Sequence, residues 1–148
     1  MAEVQEKQRI TKAYLEELKQ RLDYLERVER PRNLEELTDA RAQGDLSENA
    51  DYHAAKDQQA KIEEEIRSIR YTLENYELID IQLYTLYFED RKITETYEIV
   101  GTQEADPASK KISIESPVGK AIEGHKKGDR VIVHANNRDF YVEIKDIK

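Results

Sequence analysis

Residues 62–76 read Ile62-Glu-Glu-Glu-Ile66-Arg-Ser-Ile69-Arg-Tyr-Thr-Leu73-Glu-Asn-Tyr76, with an apolar side chain at every third or fourth position. The intervening glutamates and arginines favour helix and can pair one turn apart. Alternating spacings of three and four are the a/d pattern of a narrow coiled-coil seam. The stretch therefore predicts a long helix that buries one stripe against a partner helix.

A matching apolar stripe lies earlier in the chain and predicts the partner helix. Its positions are Leu15, Leu18, Leu22, Leu25, Leu34 and Leu37, with a helix break expected around Pro31. Between the two stripes stands Gln43-Gly44-Asp45-Leu46-Ser47, where a glycine followed by Asp and Ser is expected to stop one helix and cap the next. We predict an antiparallel helical hairpin with an acidic tip near residues 44–50.

The second half of the chain has the composition of β-strands, rich in β-branched and aromatic residues between turn residues. The predicted strands cover residues 83–88, 93–100, 111–115, 130–134 and 139–147. One short helix interrupts them, because Ser116 can cap it, Pro117 fits its first turn and Gly124 can end it. The predicted fold class is α+β: a coiled-coil hairpin over residues 1–78, then a small antiparallel sheet with one short helix over residues 79–148.

Composition and net charge argue against several classes of function. The chain of 148 residues has a net charge of −8, which argues against gripping nucleic acid through a basic face. It has no cysteine, which excludes disulfides and thiolate metal sites. No apolar run approaches the roughly 18 residues of a membrane span, and the N-terminus lacks the apolar segment of a signal peptide. We expect a cytoplasmic protein that does not bind membranes.

Asp45 and Glu48 are the candidate functional pair, three residues apart at the predicted turn. Their carboxylates could share a hard divalent cation such as Mg²⁺, which is often held by one or two carboxylates with other partners completing the octahedron. Such a tip has no pocket of its own, so it could only complete a site in another protein. The alternative is that both acids are helix caps and dipole partners, and spacing alone favours this alternative.

Three segments resemble one known family, in its order. The tip segment Ala40-Arg-Ala-Gln-Gly-Asp-Leu-Ser-Glu-Asn-Ala-Asp-Tyr-His-Ala-Ala-Lys56 resembles the tip signature of the bacterial Gre transcript-cleavage factors. Tyr97-Glu-Ile-Val-Gly-Thr-Gln-Glu-Ala-Asp106 and Ile112-Ser-Ile-Glu-Ser-Pro-Val-Gly-Lys-Ala121 resemble motifs of that family's second domain, as does Gly128-Asp-Arg-Val131. The resemblance covers most of the chain and is closer to the GreA-type branch.

The resemblance implies a transcription elongation factor rather than an enzyme. It implies that the coiled coil enters the secondary channel of RNA polymerase, while the second domain, similar in fold to FK506-binding proteins (FKBP-like), docks at the channel rim. The factor would stimulate the polymerase's own cleavage of the extruded 3′ end of backtracked RNA and so rescue arrested complexes. Asp45 and Glu48 match the family's catalytic acids, which would ligate a second Mg²⁺ shared with the polymerase active centre. The isolated protein, expected to be a monomer, would bind no metal stably.

The resemblance also assigns contact residues. Arg41, Tyr52 and Lys56 would lie near the nascent RNA, and Glu115, Ser116 and Pro117 match the loop that binds the polymerase. Each assignment has a structural alternative: solvated helix charges for Arg41 and Lys56, tip packing for Tyr52, and helix capping for the loop. His53 has no second nitrogen or sulfur ligand at a suitable spacing, and we expect an ordinary helix residue.

One departure keeps other functions open. Leu78-Ile-Asp-Ile-Gln82 joins the two predicted domains through a segment roughly ten residues shorter than is usual in the family. An inhibitor that binds the channel without stimulating cleavage is therefore the main alternative, although both tip acids are present. A coiled-coil adapter or a prolyl-isomerase-like chaperone is a second alternative, but it leaves the acidic tip unexplained.

Overall fold

A computed structural model describes residues 7–44, 49–80 and 82–148. The chain divides into two compact units. The hairpin unit is Leu15–Asn75, and the sheet unit is Met1–Tyr14 together with Tyr76–Lys148. The predicted α+β class, with a helical hairpin followed by a mostly antiparallel sheet, is confirmed.

Among its described residues, the hairpin unit is formed by three α-helices. They are α1 (Lys12–Tyr24, which begins in the sheet unit), α2 (Arg30–Ala42) and α3 (Ala50–Glu74), with a π-helical turn at Leu25–Glu29 between the first two. Apolar side chains of both arms are buried in the seam, among them Leu25, Ile62 and Ile66, each at most 3% exposed. The predicted heptad seam is therefore present.

The break expected around Pro31 is wrong, because helical backbone continues through it. The π-helical turn ends two residues before Pro31, and the Arg30 N–H donates to the Leu25 carbonyl five residues back. The extra residue in this turn shifts the seam by one position, which explains why Asn33, Leu37 and Ala40 are buried. Leu34, predicted as a seam residue, is 51% exposed for the same reason.

Ion pairs join the two arms beside the seam. Arg21 donates to both carboxylate oxygens of Glu65 at 2.8 and 2.9 Å, and Arg30 donates to both oxygens of Glu63 at 2.9 and 3.0 Å. These hydrogen bonds hold the pKa of Glu65 and Glu63 below their usual range. The same bonds raise the pKa of Arg21 and Arg30. The pairs are specific to one register because each needs its two side chains at the same height.

These lowered pKa values make the hairpin sensitive to acid. Stability from each pair is present above the unfolded glutamate pKa of about 4.3 and is lost as the pH falls through the lowered folded value. The side chains are a third to two fifths exposed, so we expect only about 0.5 kcal/mol from each pair. A Glu63→Gln/Glu65→Gln variant should melt about 4–8 °C lower than wild type at pH 7. The two proteins should converge near pH 3.

The measurement is helical circular dichroism against temperature from pH 7 to pH 3. Glu17→Gln/Glu35→Gln is the charge-matched control, since both residues are exposed. If the melting temperature of the control falls as much as that of the test variant, the effect comes from net charge and not from the ion pairs.

The described part of the sheet unit contains seven strands in two sheets. A two-stranded parallel sheet pairs β1 (Gln8–Ile10) with β2 (Tyr76–Leu78). The main sheet has the order β5-β4-β3-β7-β6, formed by β3 (Gln82–Phe88), β4 (Ile93–Val100), β5 (Lys111–Ser113), β6 (Arg130–His134) and β7 (Asp139–Ile147). All its neighbours are antiparallel except β4 and β5, which are parallel, so the prediction of a wholly antiparallel sheet is wrong for that pair.

The short helix α4 (Pro117–Ile122) packs against this sheet and completes its core. Ile122, Leu86, Val133, Val142 and Ile144 are each at most 1% exposed. The predicted cap is confirmed, since Ser116 Oγ accepts from the Gly119 N–H at 3.0 Å. Two short 3₁₀ turns, Thr102–Glu104 and Pro107–Ser109, connect β4 to β5.

The N-terminal strand β1 packs with the sheet unit, whereas the predicted domain boundary lies at residue 78. β1 belongs to the sheet unit, where Glu104 accepts from the Thr11 N–H at 2.9 Å and from the Thr11 hydroxyl. Gly101 permits this packing, because a Cβ there would lie 2.0 Å from the Arg9 carbonyl oxygen. Thr11 in turn accepts from the Tyr14 N–H at 3.2 Å, which caps the start of α1.

Candidate functional site

The candidate site lies at the turn of the hairpin, between the end of α2 at Ala42 and the start of α3 at Ala50. Asp45 and Glu48, the predicted catalytic and metal-binding pair, lie outside the described residues, so their assignment stays a prediction. The described residues that flank them are Gly44 and Asn49. The N–H groups of Gln43 and Gly44 donate to the carbonyls of Ala40 and Arg41, which ends α2.

Asn49 links the two helix ends. Its Oδ1 accepts from the Tyr52 N–H at 3.0 Å and caps α3, while its Nδ2 donates to the Ala40 carbonyl at 2.5 Å. The expectation that Asp45 or Ser47 would supply the cap is therefore wrong. Asparagine is among the preferred N-cap residues, so its position before Ala50 was a usable signal. These two hydrogen bonds join the last turn of α2 to the first turn of α3.

Removing the Asn49 side chain should loosen the tip. We expect Asn49→Ala to cost the hairpin about 1–2 kcal/mol, because α3 loses its cap and α2 loses the donor to Ala40. Asn49→Asp is the matched variant: it keeps an acceptor for the cap but loses the donor, so it should cost less. Urea unfolding followed by helical circular dichroism measures both. An Asn49→Ala protein as stable as wild type would contradict the linking role.

Arg41 and Tyr52 come together next to the tip. The Arg41 guanidinium carbon lies 5.8 Å from the centroid of the Tyr52 ring, and Tyr52 packs edge-on against His53 with centroids 5.6 Å apart. Tyr52 is half-buried and Arg41 is exposed. Lys56 lies one turn further along, where its Nζ donates to Gln59 Oε1 at 3.4 Å. The RNA contacts of Arg41, Tyr52 and Lys56 stay predictions. His53 is an exposed residue of α3, as predicted.

Within residues 7–44, 49–80 and 82–148, no group of three or more His, Asp or Glu side chains could hold a metal ion. The two predicted ligands fall outside these ranges. Two carboxylates fit Mg²⁺ chemically, but they fill too few of its six positions to make a site alone.

The predicted polymerase-binding loop is a compact turn between β5 and α4. Ser116 caps α4 and also donates to the Ser113 carbonyl at 2.6 Å, and Pro117 is the exposed first residue of the helix. Ser116 and Pro117 thus have the capping role that was the structural alternative for them. Glu115 does not cap the helix; its side chain is 53% exposed and accepts from Thr102 Oγ1 at 2.9 Å.

The described part of the chain contains no helix that is both long and apolar enough to cross a membrane.

The described residues form a helical hairpin followed by a mostly antiparallel sheet. Two family models match these two parts of the chain in the same order. The family described as "Transcription elongation factor, N-terminal" matches residues 8–78, and the one described as "Transcription elongation factor, GreA/GreB, C-term" matches residues 84–148. The chain belongs to the GreA/GreB family of transcription elongation factors.

Named relatives are similar over nearly their full length. The chain is 45% identical to transcription elongation factor GreA of Acholeplasma laidlawii, over 93% of this chain and 94% of that protein. It is 39% identical to transcription elongation factor GreA of Anaeromyxobacter sp. strain K, over 93% and 90%. A crystal structure of GreA factor homolog 1 (Gfh1) of Thermus thermophilus aligns over 96% of this chain and 99% of that one, with 24% identity and a TM-score of 0.44.

Proposed function

We propose that this elongation factor binds RNA polymerase, inserts its hairpin into the secondary channel and stimulates cleavage of the 3′ end of backtracked RNA. The observation that supports this function is the place of Asp45 and Glu48 in the sequence, in the segment between the end of α2 and the start of α3, two helix ends that Asn49 links. Two acidic residues near the start of a helix are common in proteins. Within the family's complete tip motif, however, they indicate the family's catalytic acids.

The proposed chemistry supplies carboxylate ligands for a second Mg²⁺ ion, which a polymerase would hold weakly when no nucleoside triphosphate brings it. A Mg²⁺ ion shared between Asp45, Glu48 and the polymerase active centre would stabilise charge on the scissile phosphate and lower the pKa of the attacking water. The two side chains orient the water and can accept its proton. They act as part of the polymerase site, which explains why the factor is not an enzyme by itself.

The hairpin is long and narrow, as an element that enters a channel should be. α3 contains 25 residues, which corresponds to about 37 Å of helix. Its seam is narrow and its outer faces are charged, so it can remain slender while it is immersed in a water-filled channel. At its end, the Arg41 guanidinium against the Tyr52 ring offers a cation and an aromatic face to extruded RNA.

The test is a backtracked elongation complex that carries 5′-labelled RNA, incubated with Mg²⁺ at near-neutral pH. Saturating wild-type protein should speed the appearance of a shortened transcript that can be extended again. If the protein binds polymerase but does not accelerate cleavage, the proposal is wrong and a channel-binding inhibitor takes its place.

A further inference from the structure

A groove of about 570 Å³ runs along the hairpin unit between its two arms. The residues that line it recur every three or four positions on each arm, so each arm contributes one helical face. On the first arm they extend from Glu29 to Gln43, which corresponds to roughly 20 Å of helix, and on α3 from Asp51 to Ile62, roughly 16 Å. The groove is therefore elongated along the seam.

Small side chains leave room for this groove. Ala40 and Ala55 occupy buried seam positions, at 3% and 6% exposure, where other parts of the seam have leucine or isoleucine. Ala54, an exposed residue of α3, also lines the groove. Together with Ile62 these alanines form an apolar floor on which a chain of methylene groups can pack.

The rest of the lining is acidic. Four acidic residues and one basic residue give it a formal charge of −3; the acids are Glu29, Glu36, Asp39 and Asp51, and the basic residue is Arg32. Glu29 is paired with Arg21 at 3.3 Å. Within the described ranges, Glu36, Asp39 and Asp51 form no ion pair, and neither does Arg32. The groove thus has an excess of negative charge that the hairpin does not neutralise.

Asn33 adds a polar atom to the floor. The residue is 3% exposed, and its Nδ2 donates to the Ala55 carbonyl at 2.9 Å. No described residue donates to Oδ1 of Asn33. Every fully buried side-chain nitrogen or oxygen in the described part of the chain has a partner, so Oδ1 is not sealed inside the protein. It must open on the groove, which Asn33 lines.

The distribution of these groups indicates an extended cation. Among the described residues, no three carboxylates converge on a point that could hold a metal ion. A chain of methylene groups that carries protonated amines at intervals fits the groove instead. Its methylenes can cover the alanines while its ammonium groups reach the separate carboxylates. One ammonium group can donate a charge-assisted hydrogen bond to the buried oxygen of Asn33.

We propose that this groove binds a linear aliphatic polyamine, with one ammonium group donating to Oδ1 of Asn33 and the others beside Glu36, Asp39 and Asp51. These contacts need neither RNA polymerase nor any residue outside the described ranges. The inference is therefore independent of the proposed function, and the failure of one would not bear on the other.

The test is isothermal titration calorimetry of the full-length protein with spermidine at fixed ionic strength. Wild type should show saturable one-to-one binding with a dissociation constant below about 1 mM. Mg²⁺ at the same concentration of charge should displace little spermidine, because a compact ion cannot contact separate carboxylates and Asn33 together. Absence of saturable binding, or equal competition by Mg²⁺, would overturn the proposal.

Two sets of variants separate the groove from general attraction to an acidic protein. Asn33→Leu should weaken spermidine binding about tenfold, because an ammonium group loses its acceptor while the net charge stays the same. Glu36→Gln/Asp39→Asn should also weaken binding about tenfold, since two carboxylates of the groove lose their charge. Glu35→Gln/Asp57→Asn is the charge-matched control. Both of these acids are exposed and lie outside the groove, so the affinity should change less than about twofold.

Ala54→Leu tests the groove without changing a polar group. The larger side chain should fill part of the groove and weaken binding about fivefold. Ala60→Leu, at an exposed position of α3 outside the groove, is the control and should bind like wild type. Leucine is a good helix former, so both variants should fold. Wild-type affinity in Asn33→Leu would mean that its Oδ1 faces only water, and controls as weak as their test variants would mean binding to net charge. Either result would refute the polyamine site.

Discussion

Asp45→Asn and Glu48→Gln are each expected to slow factor-stimulated RNA cleavage by about a hundredfold or more. Each change keeps the size of the side chain but removes the charge that would ligate Mg²⁺ and activate water. Removing one preorganised group that stabilises transition-state charge typically costs 10²–10³ in rate, that is about 3–4 kcal/mol. Binding to polymerase should be almost unchanged, because docking is assigned to the sheet unit. Single-turnover cleavage at saturating protein measures the effect.

Asp51→Asn is the control for this pair. Asp51 is an exposed acid in the first turn of α3, close in sequence to both candidates. Its loss should leave cleavage near the wild-type rate. If it slowed cleavage as much as Glu48→Gln, negative charge at the tip would matter and not the two specific carboxylates. Normal cleavage by both Asp45→Asn and Glu48→Gln would refute their catalytic role.

Gly119→Ala is expected to destabilise the sheet unit by about 2–4 kcal/mol. A Cβ at this position would lie 2.2 Å from the Ser113 carbonyl oxygen and 2.8 Å from that of Ile114. Both obstacles are backbone atoms, so α4 would have to move away from the end of β5. Intrinsic helix propensity predicts the opposite sign, a gain of up to about 1 kcal/mol for alanine over glycine. The sign of the change therefore distinguishes close packing from propensity.

Urea unfolding followed by tyrosine fluorescence measures this change, with Lys120→Ala as the neighbouring control. Lys120 is exposed on the same helix, so its replacement should be almost neutral. A Gly119→Ala protein more stable than wild type would contradict the close approach.

Local sequence chemistry predicted most of the sheet unit correctly. The strands at Ile93–Val100, Arg130–His134 and Asp139–Ile147 have the predicted bounds, and Ser116 and Pro117 begin α4 as expected. The strands alternate apolar and polar residues, and the helix has a capping residue. Both patterns can be recognised within a few neighbouring residues. Pairing is less local, and the parallel pairing of β4 with β5 depends on a connection through two 3₁₀ turns.

The sequence analysis missed two features: the pairing of β1 with β2 and the shift of the seam after the π-helical turn. No local pattern shows that Gln8–Ile10 pairs with Tyr76–Leu78, since the two segments are far apart in sequence and short. The π-helical turn before Pro31 inserts one residue into the seam, and this moved Leu34 to the surface. Asn33 took a seam position because its amide can donate to the Ala55 carbonyl at 2.9 Å.

The two acidic residues of the candidate site belong to a sequence motif, whereas the hydrogen bonds that flank them depend on the fold. Asp45 and Glu48 can be predicted from the motif, whereas the hydrogen bond from Asn49 to the Ala40 carbonyl joins two separate helices and has no local sequence signal.

The most direct test of the account is the Mg²⁺ dependence of transcript cleavage in a backtracked complex, with and without the wild-type protein. Two added carboxylates should raise the affinity of the shared site for the ion. The account predicts a half-saturating Mg²⁺ concentration lower by about tenfold with the factor, and a return toward the factor-free value with Glu48→Gln. The same half-saturating concentration with and without the protein would contradict the claim that its tip supplies ligands to the polymerase active centre.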